Sequence, residues 1–391
     1  MKHLEMNVEV YGKTNIDELD WENVLDGDQL KHFYLPLIKE GTAKYILNSN
    51  NNFYLLKFNQ HLLPIVEGNA SSGGITYLAS FVSQFIDYTR EEVLKDKKYS
   101  TVHKQFVKHT FSVLKSLLKF INADKVIFVN NFFLSTNLYG DISNFDLKEI
   151  TFQLTQYFPE HSIIFRSVNE KTDKDWFQVL KSLYYEPVVC RQLYMLDVEK
   201  GKYKKKRPYT IDKKFAEANE EYEWFEGRAP LSLQEISAAK DYYKDLYIDK
   251  YSAFNPLYTD EFIDVTSKSG LLRYYFLRSK ENQSIKAVQA VSTCNKIITT
   301  PFIGYDQTLP KDKGLYRLMN YKLMQQAIEL KYTLNMSSGA AEFKRQRGGE
   351  PCFEYLMVYA DHLSPLRKLF WKLMKRISEK FIKPSMLKYK V

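Results

Sequence analysis

Residues 303–319 read IGYDQTLPKDKGLYRLM, and after a helical run residues 332–349 read YTLNMSSGAAEFKRQRGG. The pattern predicts a strand, a basic glycine loop, a helix, a second strand, and a turn of small residues opening a second helix. A glycine loop at a helix N-terminus seats phosphate well, because unspent N–H groups and the helix dipole point at the anion. Lys311, Lys313, Gly314 and Arg317 supply that chemistry here. Leu315, Leu318, Met319, Leu323, Ala327 and Leu330 form one apolar face, which packs the helix on a sheet and fixes its N-terminus. Ser337, Ser338, Gly339 and Ala340 are small, as needed where something passes close to the backbone, and Glu342 and Lys344 follow on the next turn.

Outward from this stretch, strand and helix patterns alternate. Strands are expected in NNFYLLKF, KVIFVNNFFL, HSIIFRSV and CRQLYML of the first half, and in LLRYYFLRS, SIKAVQAVST and EPCFEYLMVYA of the second. Helical spacing runs through 77–93, 104–121, 146–158, 173–185 and 233–252. This is an α/β chain with a mixed sheet, and its halves read as two copies of one unit. The expected organisation is a first domain over 1–200, a basic and acidic linker over 201–228, a second domain over 229–363, and a basic amphipathic helix over 364–391.

With 391 residues, two domains are the default. Cys190, Cys294 and Cys352 are odd in number and far apart, which argues against a disulfide framework or a zinc site. The seven histidines, His3 among them, show no metal-ligand spacing, and no metal is expected. No run of about 18 apolar residues occurs and the N-terminus lacks an apolar signal core, so a cytoplasmic location is expected. The net charge of +9 is concentrated in 364–391, where nine basic residues, Lys390 included, face only Glu379, which leaves +1 for the rest. That distribution argues against a general nucleic-acid binder, and DNA is not an expected partner.

The segments Gly304-Tyr305-Asp306, Pro310 and Gly314-Leu315-Tyr316, then Gly339-Ala340-Ala341-Glu342-Phe343-Lys344 with Arg347-Gly348, resemble motifs of the GNAT acyltransferase superfamily, most closely its double-domain, FemAB-like branch. The resemblance implies two GNAT-like domains in tandem, the first degenerate and the second catalytic. It implies a donor thioester between two splayed parallel strands, with acyl-CoA or the phosphopantetheine of an acyl-carrier protein as co-substrate. The donor would lie on Ile303, Gly304, Lys313, Gly314, Leu315 and Arg317. A strand N–H near Ile303 or Gly304 would hold the oxyanion. Tyr305, Ser338, Gly339 and Lys344 would contact the acceptor, with a Glu342 or Glu350 ion pair as the other reading of Lys344. Glu342 is the first candidate base and Asp306 the second, with Tyr316 or Tyr305 as acid, or no side-chain acid at all. Two departures stand out: Gly314 is a lone glycine, and Phe343 holds a place where tyrosine is usual.

Apolar residues recur at helical spacing through 364–383 with basic residues on the other face, as in a helix lying on an anionic membrane. The leading expectation is an N-acyltransferase that joins an acyl group to a primary amine of a small or lipid-like acceptor. It would be a peripheral membrane enzyme of lipid or cell-envelope biosynthesis at the inner face. A second reading is an aminoacyl-tRNA-dependent ligase acting on a cell-envelope precursor. A third is a membrane-associated adaptor without activity.

Overall fold

The computed structural model describes residues 8–68, 75–96 and 99–389. His3 and Lys390 lie outside these. The first half consists of β1 (Val8–Tyr11), α1 (Gly27–Glu40), β2 (Phe53–Phe58), β3 (His61–Glu67), α2 (Thr89–Lys95), α3 (Thr101–Phe120), β4 (Val126–Val129), α4 (Leu147–Tyr157), β5 (Ser162–Asn169), α5 (Lys174–Ser182) and β6 (Glu186–Leu196). The second half continues with α6 (Arg207–Glu217), β7 (Tyr222–Glu226), α7 (Leu233–Tyr243), α8 (Asp260–Lys268), β8 (Arg273–Ser279), β9 (Ile285–Cys294) and β10 (Ile297–Tyr305). It ends with α9 (Leu315–Leu330), β11 (Thr333–Asn335), α10 (Ala341–Gln346), β12 (Glu350–Tyr359), α11 (Pro365–Ile377) and α12 (Lys383–Tyr389).

The twelve strands of the described residues form one mixed sheet in the order β1-β2-β3-β4-β5-β12-β6-β11-β10-β9-β8-β7. Counted inward from its two edges, each strand meets the strand six later in the chain: β1 and β7, β2 and β8, on to β6 and β12. The halves are therefore two copies of one unit about an approximate two-fold axis between β6 and β12. The parallel pairs among the described residues, β4 with β5 and β10 with β11, are equivalents under this symmetry. In sequence the six strands of the first copy end at Leu196 and those of the second begin at Tyr222. In space the last strand of each copy sits beside the other's, since β12 lies between β5 and β6, and β6 between β12 and β11.

Alternation along the central strands builds a core on each face. Val188 and Leu356 join the cluster with Phe33, Phe128 and Phe302, while Val189 and Met357 join the one with Ile127, Phe165 and Trp176. Every residue of β5 is buried, as a central strand covered on both faces requires.

The segment 201–228 is structural rather than a linker. Pro208 sits in the first turn of α6, where a missing N–H costs nothing, and Tyr222–Glu226 forms the edge strand β7. Its Glu223 pairs with Arg278 of β8. The strand expected over 125–134 stops at Val129, because Asn130 and Phe133 adopt positive φ. The expected helix over 77–93 begins as a π-helical turn, Ser83–Tyr88. Among the described residues no helix is long and apolar enough to cross a membrane.

Candidate functional site

Strands β10 and β11 pair only from Ile297 to Thr299 against Thr333 to Asn335. Beyond that β10 stays with β9 as far as Tyr305, while the chain after β11 stays with β6 through Met336 N–H to Tyr194 C=O, 2.8 Å. The two strands splay and leave a gap. Asp306 N–H donates to Lys286 C=O, which makes 306 and 286 a hydrogen-bonded pair. By antiparallel alternation Gly304 also bonds toward β9, so Ile303 and Tyr305 turn their N–H and C=O groups to the gap. Of the two backbone positions named from the sequence, Ile303 turns its N–H to the gap and Gly304 turns its N–H to β9.

Gly304 is required by packing instead: a Cβ there would lie 2.5 Å from the Tyr242 carbonyl carbon, where α7 crosses the strand. Gly314 has φ +64°, and a Cβ would lie 2.6 Å from the ring of Phe215 on α6. So α6 covers part of the loop expected to be an open phosphate seat, and Leu315 is buried beneath it. Lys313 pairs with both carboxylate oxygens of Glu221 at 2.8 and 2.9 Å. Arg317 stacks on Phe215 and donates to Asp212 Oδ1 at 2.8 Å, while Arg347 donates to Asp212 Oδ2 at 2.5 Å. Asp212 is buried and joins α6, the N-terminus of α9 and the end of α10. Nothing in the sequence motif pointed to Asp212, Phe215 or Glu221, because all three lie in the charged segment read as a linker.

An aromatic row runs from the end of β10 past the start of α9 to α10. The Tyr305 and Tyr316 rings are 6.2 Å apart, Tyr316 and Phe343 are 5.0 Å apart, and the Arg347 guanidinium lies on the other side of Phe343 at 3.3 Å. Burial pushes the Tyr316 phenol up to about 12. Phe343, in place of the usual tyrosine, serves as packing between Tyr316 and Arg347.

Ser337 (φ +60°), Gly339 (φ +76°) and Ala340 (φ +47°) form the turn between β11 and α10. Gly339 and Ala340 are exposed and Ser338 half-buried, and nothing lies within 4 Å of the place a Cβ on Gly339 would take. Beneath this turn lies Lys344, only 4 % exposed. Its Nζ donates to the carbonyls of Ser337 (3.2 Å) and Ser338 (2.6 Å). Burial, then the nearby Arg191 charge, pushes its ammonium down to about 7. The alternative ion pair of Lys344 is not formed: Glu350 binds Lys171 and Lys202, and Glu342 accepts from Gln346 Nε2. Glu342 points to the exposed face of α10. For Asp306, burial alone would raise the carboxyl, but hydrogen bonds from Thr308 and the Lys286 pair outweigh it and hold it below the usual range.

The equivalent splay in the first half is filled by its own chain. Ser167 (φ +63°) matches Ser337, and its Oγ accepts from the N–H of Asn137 at 3.1 Å. Tyr139 donates to the Arg166 carbonyl, and Asn131 Nδ2 to that of Leu78. The same loop reaches β6, where Arg191 donates to Ser135 C=O and Thr136 Oγ1 while gripping Glu354 at 2.9 and 2.7 Å. All three thiols are pushed up by burial, Cys352 to about 12, so none supplies a thiolate near neutral pH. Among the described residues no His, Cys, Asp and Glu cluster has the makings of a metal site. A surface cavity of about 640 Å³ lies elsewhere in the first half, between Phe58, His61, Phe145 and Leu183.

No family model and no curated protein matches the sequence. Similar solved structures include L-PGS from Bacillus licheniformis, with 16% identity over 59% of this chain and 76% of that one at TM-score 0.42. FemX shares 10% identity over 57% of this chain and 78% of its own at TM-score 0.43. A tandem GNAT protein from the clavulanic acid biosynthesis pathway shares 8%, covering 92% of this chain and 99% of that one at TM-score 0.40. At these TM-scores and identities the likeness assigns no function to this chain.

Proposed function

We propose that the protein is an N-acyltransferase whose donor thioester lies in the splay between β10 and β11. The observation that carries this reading is the contrast between two equivalent gaps. One is plugged by residues 130–139, and the other keeps backbone groups of Ile303 and Tyr305 turned inward beside a buried lysine with a pKa near 7.

An extended pantetheine arm, from acyl-CoA or an acyl-carrier protein, adds along β10 as a further strand. The N–H of Ile303 or Tyr305 donates to the thioester oxygen and stabilises the oxyanion as it forms. The acceptor amine nitrogen bonds to the carbonyl carbon, the carbon–sulfur bond breaks, and the thiol leaves. The amine must lose a proton on the way. Lys344 is the favoured acceptor for it, because it is half neutral near pH 7 while Asp306 is held as a weak base and Glu342 faces solvent. The carbonyls of Ser337 and Ser338 hold the ammonium once formed. The proton then passes to the departing thiolate. The exposed turn at Ser338 and Gly339 is the approach for the acceptor. The basic helices α11 and α12 are the proposed contact with an anionic membrane, which fits a lipid-like amine.

Thermal-shift measurement against acyl-CoAs of increasing chain length, an acyl-carrier protein and aminoacyl-tRNA tests the donor class. Stabilisation by a pantetheine donor, with amide product seen by mass spectrometry, supports the reading. Stabilisation by aminoacyl-tRNA alone moves the assignment to the ligase. Silence toward every donor, with Lys344 variants inert in cells, leaves the adaptor.

A further inference from the structure

Helix α3 is an insertion with no counterpart in the second half. Where β3 leads to β4 through α2 and α3, the equivalent β9 and β10 are joined by a tight turn at Asn295 and Lys296. Ser100 caps its start by accepting from His103 N–H. Across its 20 residues only Val107 and Leu118 are buried, and with half-buried Phe111 they form the face that holds the helix to the body. The opposite face carries Val102, Phe106, Val113, Leu117 and Phe120. At 100° per residue these fall within a 60° stripe running about 27 Å along the helix. All are exposed, Phe106 by 66 % and Phe120 by 80 %. A helix that keeps one apolar face for its own core and offers a second one to solvent has an unfilled requirement.

The charge of the helix and its neighbour names the occupant. Helix α3 contains no acidic residue; Lys104, Lys108 and Lys119 lie on its polar side, away from the stripe, and Lys115 is paired with Asp87 at 2.6 Å. Its C-terminal end lies beside α11, because Arg367 donates to Lys125 C=O at 2.6 Å and Phe81, just before the π-helical turn that α3 packs on, touches Phe370 and Trp371. Helix α11 also lacks acidic residues and exposes Leu366, Leu369 and Leu373 at helical spacing. Two neighbouring cationic helices with exposed apolar stripes match an anionic bilayer: the apolar side chains enter the acyl boundary, and the net positive charge of the two helices draws them to an anionic surface.

We infer that α3 is an interfacial helix that seats the protein on anionic membranes, acting with α11 but through its own stripe. This inference stands apart from the acyl-transfer reading, since it needs no donor or acceptor. The test is co-sedimentation of the full chain with vesicles of phosphatidylcholine alone or with 30 % phosphatidylglycerol, at low and high salt. Wild type is expected to bind the anionic vesicles, at least tenfold more weakly at high salt. Replacement of Phe106, Val113, Leu117 and Phe120 by serine is expected to reduce binding at least tenfold with an unchanged melting temperature, since those side chains are already in solvent. Lys108→Gln with Lys119→Gln is expected to weaken binding several-fold at low salt only. Wild-type binding by the four-serine variant overturns the inference and leaves α11 as the sole contact. Vesicle-independent dimers abolished by the same substitutions also overturn it, in favour of a second copy of this chain.

Discussion

Ser167 and Ser337 hold equivalent places in the two copies, each at positive φ directly after the parallel strands part. Ser167 turns its hydroxyl to the backbone of Asn137 and so helps plug its gap. Ser337 turns its carbonyl to the buried Lys344. One duplicated geometry thus carries a structural role in the first half and the proposed chemistry in the second.

Lys344 gives a pH signature of stability. Its folded pKa of about 7 lies well below the unfolded value, so between these the unfolded chain binds the extra proton and stability rises with pH. Below about pH 7 the penalty is fully present and constant. Urea unfolding of wild type and Lys344→Met at pH 7.5 and 9 is expected to show the wild type gaining on the variant by about 1 kcal/mol per pH unit. Parallel profiles would mean the lysine titrates normally.

The same residue gives a signature in rate. With Lys344 as proton acceptor, kcat/KM rises with pH and levels off above about 7. Lys344→Arg keeps the charge and cannot lose it, so activity is expected to fall about a hundredfold with that pH step abolished. A variant that is slower but keeps the step assigns the base elsewhere, with Glu342→Gln the next substitution to measure.

Asp212 is expected to matter far more than a linker residue would. Asp212→Asn leaves the buried Arg347 without its carboxylate and should cost about 3 kcal/mol, read by urea denaturation. Loss of less than about 0.5 kcal/mol would show that the two arginines find other partners.

Gly304 and Gly314 are expected to fail on packing grounds. Gly304→Ala drives a Cβ into the backbone of α7, and Gly314→Ala meets both the Phe215 ring and a positive φ. Each should cost about 2 kcal/mol or more. Adding Phe215→Ala should recover part of the loss for Gly314→Ala and none for Gly304→Ala. Equal behaviour of the two double variants would contradict the separate contacts.

The order of strand, loop, helix, strand, turn and helix over residues 297–346 was legible because each element has its own periodicity and punctuation. The mixed α/β sheet followed from the alternation of those patterns, whereas the duplication rested on the motif resemblance. Other parts were not legible for physical reasons. Glycine marks a close approach without saying what approaches, so Gly304 and Gly314 read as donor contacts when helix backbone and a phenyl ring fill the space. Lys344 looks like any helical lysine until tertiary packing buries it. Asp212 stands in a charge block whose composition suggests solvent, and only the fold brings Arg317 and Arg347 to it. The exchange of β6 and β12 across the two-fold axis leaves no local signal at all.

The central claim is that the gap in the second half, and not its equivalent in the first, receives the donor. Hydrogen–deuterium exchange with and without a saturating, non-hydrolysable acyl-CoA analogue tests it most directly. The account predicts slowed exchange at residues 302–305 and 337–340 and no change at residues 129–137. Protection confined to residues 129–137, or none anywhere with a ligand that demonstrably binds, would contradict it.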